Sequence, residues 1–271
     1  MTTPVRVGAV NYLNTKPLIE GLTRFDPSIE LSLDLPSRLA EQMADGTLDV
    51  GLIPVIEFFR AEHYDFVPGI SIASRGPVLS VTLFSRVPWA QIRTVALDVG
   101  SRTSAALTRI LLAHKYGVEP QVEPLPMDVP ADDVTTDAVL LIGDRAMHAC
   151  LPGFRYAFDL GEEWTTWTGL PMVFAVWAVR DGVELSRRTV KAFHAAKAHG
   201  LANAGAIAAR ESPKLKLDPG YCRRYLTNIL HYDLGPRELA GLARYYELAV
   251  PLGLAPAGVS LEHRPPLVES R

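Results

Sequence analysis

A change of pattern near residue 180 most constrains what this chain can fold into. From Val5 to about Val179, short apolar runs alternate with helical patterns; after Asp181 every periodic segment is helical. Val5–Val10, Leu48–Ile53, Phe66–Ile72, Val78–Ser85, Val95–Leu97, Val122–Leu125, Ala138–Ile142 and Met172–Val179 read as strands. Ile29–Leu35 alternates apolar and polar residues at the period of a half-buried strand. Lys16–Thr23, Ser37–Ala44, Val55–Ala61, Thr103–Tyr116 and Asp144–Cys150 read as the intervening helices. Their ends are punctuated by Ser37 and Ser101 as N-caps, by Pro54 ahead of Val55, and by Gly46 and Gly117 as stops. Leu185–Arg210, Pro219–Leu230 and Pro236–Leu252 form the helical end, and the last ten residues, with Pro265 and Pro266, read as an extended tail.

Alternating strand and helix predicts an α/β fold with largely parallel sheet. A helical run at the end of such a chain fits if residues 1–87 and 180–271 build one lobe, completed by the terminal helices, and residues 88–179 build a second. The chain then crosses near Pro88 and returns near Val179. Two crossings make a hinge, and a ligand cleft between the lobes is the natural site. A single doubly wound sheet with a helical appendage is the alternative. The length of 271 residues allows one large domain or two small ones at roughly 100–200 residues each.

Composition narrows the partners. With 48% hydrophobic and 21% charged residues the chain is ordinary globular protein, which excludes disorder for its bulk. A formal net charge of −3 gives no general pull toward nucleic acid or anionic lipid, so any anion affinity must come from a few placed groups. The longest purely apolar run, Met172–Val179, is far below the roughly 20 residues of a membrane span. The N-terminus lacks a basic segment followed by an apolar stretch of about 7–15 residues, so a cytoplasmic location is expected. Cys150 and Cys222 are the only cysteines, no C-x-x-C or H-E-x-x-H occurs, and the seven histidines are scattered; no metal is expected.

Two helix starts break a rule. A helix N-terminus carries unpaired N–H groups and about half a positive charge, and structural starts usually place Asp or Glu there. Asn11-Tyr12-Leu13-Asn14-Thr15-Lys16-Pro17, after the first strand, offers two carboxamides, a hydroxyl and a cation. Ser101-Arg102-Thr103-Ser104, after Val95–Leu97, offers three hydroxyls and a cation. Both sets consist of donors, which an anion would satisfy; taken singly, each is equally a plain cap. Together, one in each lobe, they favour a ligand with two separated anionic groups. A third turn, Gly143-Asp144-Arg145, obeys the dipole rule through Asp144 and reads as structural, although Gly143 permits close backbone approach. Ser80 lies on a strand leading to the hinge, where its hydroxyl would line the cleft or bond locally. Glu162 and Glu163, beside Trp164 and Trp167, read as helix-start acids.

The same turns carry a resemblance. Val7-Gly8-Ala9-Val10-Asn11-Tyr12-Leu13-Asn14-Thr15-Lys16-Pro17-Leu18 is similar to the opening of the chorismate dehydratases of menaquinone biosynthesis, the futalosine pathway. The similarity continues through Leu48 to Glu57, Val95 to Asp98 with Ser101 to Ser104, Leu140 to Asp144, Asp159 to Trp164, and Thr168 to Pro171. It runs from about residue 5 to 180. The resemblance implies a two-lobed periplasmic-binding-protein-like fold of type II, with the ligand between lobes. It implies a carbon–oxygen lyase, a hydro-lyase that removes water from chorismate to give 3-[(1-carboxyvinyl)oxy]benzoate. It implies no cofactor and chorismate as the small-molecule partner, with neither nucleic acid nor membrane; a homodimer is left open. A non-catalytic solute-binding protein for a small anionic ligand is the alternative.

On that resemblance, roles can be assigned. Chorismate has a ring carboxylate and an enolpyruvyl carboxylate, matching the two-anion expectation. Asn14 and Ser80 are the expected catalytic residues: Asn14, helped by Asn11, orients the reacting hydroxyl or the enolpyruvyl group, and Ser80 bonds a carboxylate or the leaving oxygen. Ser101, Arg102, Thr103 and Ser104 hold one carboxylate, with Gly143 and Asp144 also on the substrate. The family further implies that the enolpyruvyl carboxylate takes the proton.

Overall fold

A computed structural model describes residues 4–61, 63–126 and 128–261, so the expected tail lies outside the described residues. The chain divides into two compact units. The first takes the chain up to Ala73, Ala175–Gly235 and the stretch from Gly258; the second takes Ser74–Phe174 and Pro236–Ala257. The divisions at Ala73 and Phe174 fall inside strands, earlier than the expected 87/88 and 179/180. The helix Pro236–Ala249 belongs with the second unit, where the sequence reading put every terminal helix with the first.

The first unit carries a six-stranded sheet in the order β11-β4-β10-β3-β1-β2. Its strands are β1 (Val5–Val10), β2 (Ile29–Asp34), β3 (Val50–Pro54), β4 (Asp65–Ser74), β10 (Met172–Val179) and β11 (Leu230–His231). β1 runs parallel to β2 and β3, but β10 is antiparallel to β3, with Val176 opposite Ile53. The sheet is therefore mixed. β1 carries Gly8 because a Cβ there would lie 2.3 Å from a Leu48 methyl and 2.7 Å from one of Leu39. Its absence lets the helix Pro36–Ala44 press onto the strand. That helix starts at Pro36, with Leu35 rather than Ser37 in the cap position, since proline's fixed φ suits the first helical residue. The expected helix Lys16–Thr23 is two short ones, Lys16–Ile19 and Leu22–Phe25, parted at Gly21 with φ +75°. Leu185–Arg210 likewise becomes Arg187–Ala202 and Ala204–Leu215. Asn203 interrupts it by turning its side-chain amide onto the His199 carbonyl, 2.8 Å away.

Asp49 ties the amino-terminal edge of this sheet. It accepts from the Arg6 backbone at 2.9 Å, from Arg6 Nε and Nη2 at 3.0 and 2.6 Å, and from Arg180 Nη2 at 3.2 Å. Burial pushes its pKa up, but these donors outweigh burial and hold it below 3.8. A carboxylate lowered in the folded state stabilises fully above its unfolded pKa and loses that contribution as pH falls through the folded value. Asp49→Asn should therefore cost on the order of 2 kcal/mol at pH 7, a difference that shrinks below about pH 4. Urea melts of both proteins at the two pH values check it.

The second unit carries a five-stranded sheet in the order β7-β6-β8-β5-β9. These are β5 (Val81–Ser85), β6 (Thr94–Asp98), β7 (Gln121–Leu125), β8 (Ala138–Ile142) and β9 (Tyr156–Asp159). β6 is parallel to β7 and β8, whereas β5 is antiparallel to β8 and β9. One face is sealed by Phe84, Ala96, Leu125, Val139 and Leu141. The helix Arg102–Ile110 follows β6 and ends in a widened turn in which Tyr116 N–H reaches the Leu111 carbonyl at 3.1 Å. Of the inner face the periodicity predicts, Leu107, Ile110, Leu111 and His114, the first three are fully buried, whereas His114 is exposed, with its Nε2 3.0 Å from the Leu248 carbonyl. Pro236–Ala249 docks in this unit because Gly241 leaves room for the Pro171 carbonyl, which would sit 2.1 Å from a Cβ. The Tyr245 hydroxyl also donates to the Thr103 carbonyl at 3.0 Å, and its ring meets that of buried Trp164.

Candidate functional site

Strand direction places each expected residue. In the first unit, β1 lies between β3 and β2, and the turn Asn11–Lys16 follows its carboxyl end, where ligands of open α/β sheets bind. In the second unit, Ser101 follows the carboxyl end of β6 and Gly143 follows that of parallel β8. Ser80 precedes β5, which is antiparallel to β8, so it falls on the same sheet edge. The Gly143 N–H donates to the Ser80 carbonyl at 2.8 Å, closing that pair. The structure thus brings together Ser80, Ser101 to Ser104, Gly143 and Asp144 within one unit, and Asn11 with Asn14 in the other.

In the first turn, β1 passes through Tyr12 into a single tight turn, Leu13–Thr15, and then into Lys16–Ile19 with Pro17 at its start. Neither helical start is capped by its own side chain, and neither first turn holds an acid. Thr15 is fully buried and donates its hydroxyl to Asn14 Oδ1 at 3.3 Å. That fixes the half-buried Asn14 with its NH2 as the outward donor. Lys16 donates to Asn11 Oδ1, so Asn11 likewise presents its NH2. Each carboxamide has its acceptor occupied and its donor left to offer.

In the second turn the three hydroxyls differ. Ser101 is the N-cap: its Oγ accepts from Ser104 N–H at 3.3 Å and donates to Ser104 Oγ at 2.8 Å. Thr103 donates to the Phe174 carbonyl at 3.1 Å and is a structural tie, which narrows what its side chain can offer a ligand. Ser104 is buried, and its own hydroxyl proton is the one these bonds leave over. Arg102 is half-buried at the first helical position.

The third turn is occupied by its own chain. Asp98, 1% exposed, accepts from Gly100 N–H at 2.8 Å and from Arg145 Nη1 at 3.2 Å. Arg145 also donates to the Val129 carbonyl at 2.7 Å, so its charge is used internally. Burial raises the pKa of Asp98 despite Arg145, and burial raises that of Asp144 despite nearby His148. Gly143 sits at φ +56°, a conformation that favours glycine, and its N–H is spent on Ser80.

Ser80 follows a strained residue. Leu79 has φ +62°, a left-handed conformation that costs a bulky side chain about 1–3 kcal/mol and is kept only where the surroundings enforce it. Ser80 itself is 4% exposed, and its hydroxyl lies 3.4 Å from the Val78 carbonyl. Sequence reasoning missed what holds this loop. Asp159 caps the helix Leu160–Thr168 and simultaneously accepts from the backbone of Val78 and Leu79. Its signal was present as an Asp ahead of Gly161-Glu162-Glu163, a cap pattern. Among the described residues, no three of His, Cys, Asp and Glu gather as a metal site requires, and no helix is long and apolar enough to cross a membrane.

Comparison with known proteins bears on this arrangement. Residues 5–251 match the family described as Menaquinone biosynthesis. The chain is 32% identical to a chorismate dehydratase of Thermus thermophilus, over 93% of this chain and 97% of that one. It is 24% identical to a chorismate dehydratase of Campylobacter jejuni, over 92% and 99%. Among solved structures it is similar to protein AF1704 of Archaeoglobus fulgidus, with a TM-score of 0.71 at 18% identity, covering 93% of this chain and 99% of that one. It is also similar to the periplasmic aliphatic sulphonate binding protein SsuA of Escherichia coli, with a TM-score of 0.68 at 16% identity, covering 100% and 95%. The fold is therefore periplasmic-binding-protein-like. With a match across most of its length and a relative above 30% identity, the chain belongs to the menaquinone-biosynthesis family.

Proposed function

We propose that the protein is a chorismate dehydratase, a hydro-lyase converting chorismate to 3-[(1-carboxyvinyl)oxy]benzoate and water on the futalosine route to menaquinone. The observation that carries this reading is the pair of acid-free helix starts, one in each unit, in a chain 32% identical to a chorismate dehydratase. Donors at Asn11, Asn14, Ser104 and Arg102 suit the carboxylates of such a substrate.

The chemistry asks little base strength of the protein. Elimination removes the proton at ring C3 and the hydroxyl at C4. The C3 proton is acidified through the diene by the ring carboxylate, and the product is aromatic. On the family resemblance the enolpyruvyl carboxylate is the proton acceptor. What the chain supplies is placement and donation. Arg102 and Ser104 hold one carboxylate. Asn14 and Ser80 donate where negative charge develops, each well-placed donor contributing roughly 3–4 kcal/mol.

A solute-binding protein shares the fold but would turn nothing over. A bacterium that makes menaquinone by the futalosine route, deleted for its own chorismate dehydratase, separates the two readings. Expression of this chain should restore menaquinone. Failure to restore it, with the protein present and folded, would remove the enzyme reading.

A further inference from the structure

Asp159 does more than cap a helix. Its Oδ1 accepts from Gly161 N–H at 2.9 Å and Glu162 N–H at 3.1 Å, the first turn of the helix Leu160–Thr168. The same carboxylate reaches back across the loop that leads into β5. Val78 N–H lies 2.9 Å from both its oxygens, and Leu79 N–H lies 2.7 Å from Oδ2. Four backbone donors from two segments thus converge on one side chain. The fit beside it is tight, since a Cβ on Gly161 would fall 2.6 Å from both the Gly76 carbonyl and Ser74 Oγ. Leu79, pinned at φ +62°, is the residue directly before Ser80. A cap alone needs only the helix-side bonds; the loop-side bonds coincide with the strained residue.

We propose that Asp159 is a positioning residue for Ser80. Its carboxylate holds the Val78 and Leu79 N–H groups, keeps Leu79 in the left-handed conformation and so sets where the Ser80 hydroxyl stands. The inference rests on the reading of Ser80 as a group that touches chorismate. Without the clamp, Leu79 relaxes toward negative φ and turns Ser80 away from its working position.

Asp159→Asn separates the two roles. Asparagine is as good an N-cap as aspartate, so its carbonyl oxygen still serves the helix. Its NH2 then faces the Leu79 N–H and cannot accept from it. The expected result is a fall in kcat of about 10²-fold, the size of effect a displacement near 1 Å produces, with KM for chorismate and the melting temperature little changed. Hydrogen exchange at the Leu79 amide should speed up in this variant, while Val78 N–H keeps the carbonyl oxygen as acceptor, a readout independent of turnover. Adding Leu79→Gly should return much of the lost kcat, because glycine holds positive φ without a clamp. Wild-type kcat in Asp159→Asn while Ser80→Ala is inactive would overturn the proposal. So would unchanged exchange at the Leu79 amide, or a kcat loss that Leu79→Gly leaves untouched. Wild-type kcat in Ser80→Ala itself would instead overturn the reading of Ser80 on which the proposal stands.

Discussion

Asn14→Ala is expected to lower kcat for chorismate by about 10²–10³-fold, the effect of deleting one donor aimed at developing charge. The fold should survive. Asn14 is half-buried, and its side-chain oxygen accepts the Thr15 hydroxyl at 3.3 Å. Losing that acceptor costs about 1 kcal/mol. The direction of the bond makes the prediction specific. Thr15 occupies the oxygen of Asn14, so the amide NH2 is what the site gains from this residue. Asn14→Asp keeps the size and the acceptor but turns a donor into a negative charge, and it should be as inactive as alanine. Steady-state kinetics alongside a thermal melt checks both variants. Near-wild-type kcat in Asn14→Ala would remove Asn14 from the mechanism.

The largest expected loss of stability comes from a glycine that no motif marks. Gly200 lies in the helix Arg187–Ala202, and a Cβ there would sit 2.0 Å from the Pro17 carbonyl oxygen. Both partners are backbone, so no rotamer change relieves the overlap and the two helices must part. Gly200→Ala should cost about 2–3 kcal/mol, the upper range for overpacking, even though alanine is the better helix former. At this chain length that corresponds to a fall of roughly 5–10 °C in Tm. Pro17 belongs to the turn that presents Asn14, so activity should fall as well. Gly205 is the control. It lies in the next helix with nothing within 4 Å of its would-be Cβ. Gly205→Ala should therefore stabilise by about 0.5–1 kcal/mol. Differential scanning calorimetry of the two variants gives opposite signs if the packing is as described.

Much of the fold was legible because burial leaves a strong pattern. β8 and β10 match their apolar runs residue for residue, since nearly every position is buried and no polar residue interrupts them. β9 was missed: Tyr156 and Ala157 are exposed, so no periodicity marks it. β2 shows the limit of alternation. Leu33 keeps the pattern yet stands 45% exposed, because the strand is at the edge of its sheet, and Leu35, equally exposed, falls past the strand's end at the cap of the next helix. The mixed sheets went unread because strand direction depends on where the chain crosses between units. The docking of Pro236–Ala249 went unread because it depends on Gly241 and Tyr245 meeting segments about 70 and 142 residues away.

The candidate site was legible in residue type and opaque in partnership. The acid-free helix starts stand out from the dipole rule alone. Which donors remain available does not: Thr103 is spent on Phe174, Gly143 on Ser80 and Arg145 on Asp98, all through tertiary contacts. The clamp from Asp159 to Leu79 spans 80 residues, and only the folded chain reveals that a helix cap has a second duty.

The central claim is that this chain eliminates water from chorismate using its own placed donors. The most direct measurement is incubation of the pure protein with excess chorismate, followed over time by mass spectrometry. The account predicts many turnovers of chorismate into 3-[(1-carboxyvinyl)oxy]benzoate. Saturable binding of chorismate with no such product would contradict it.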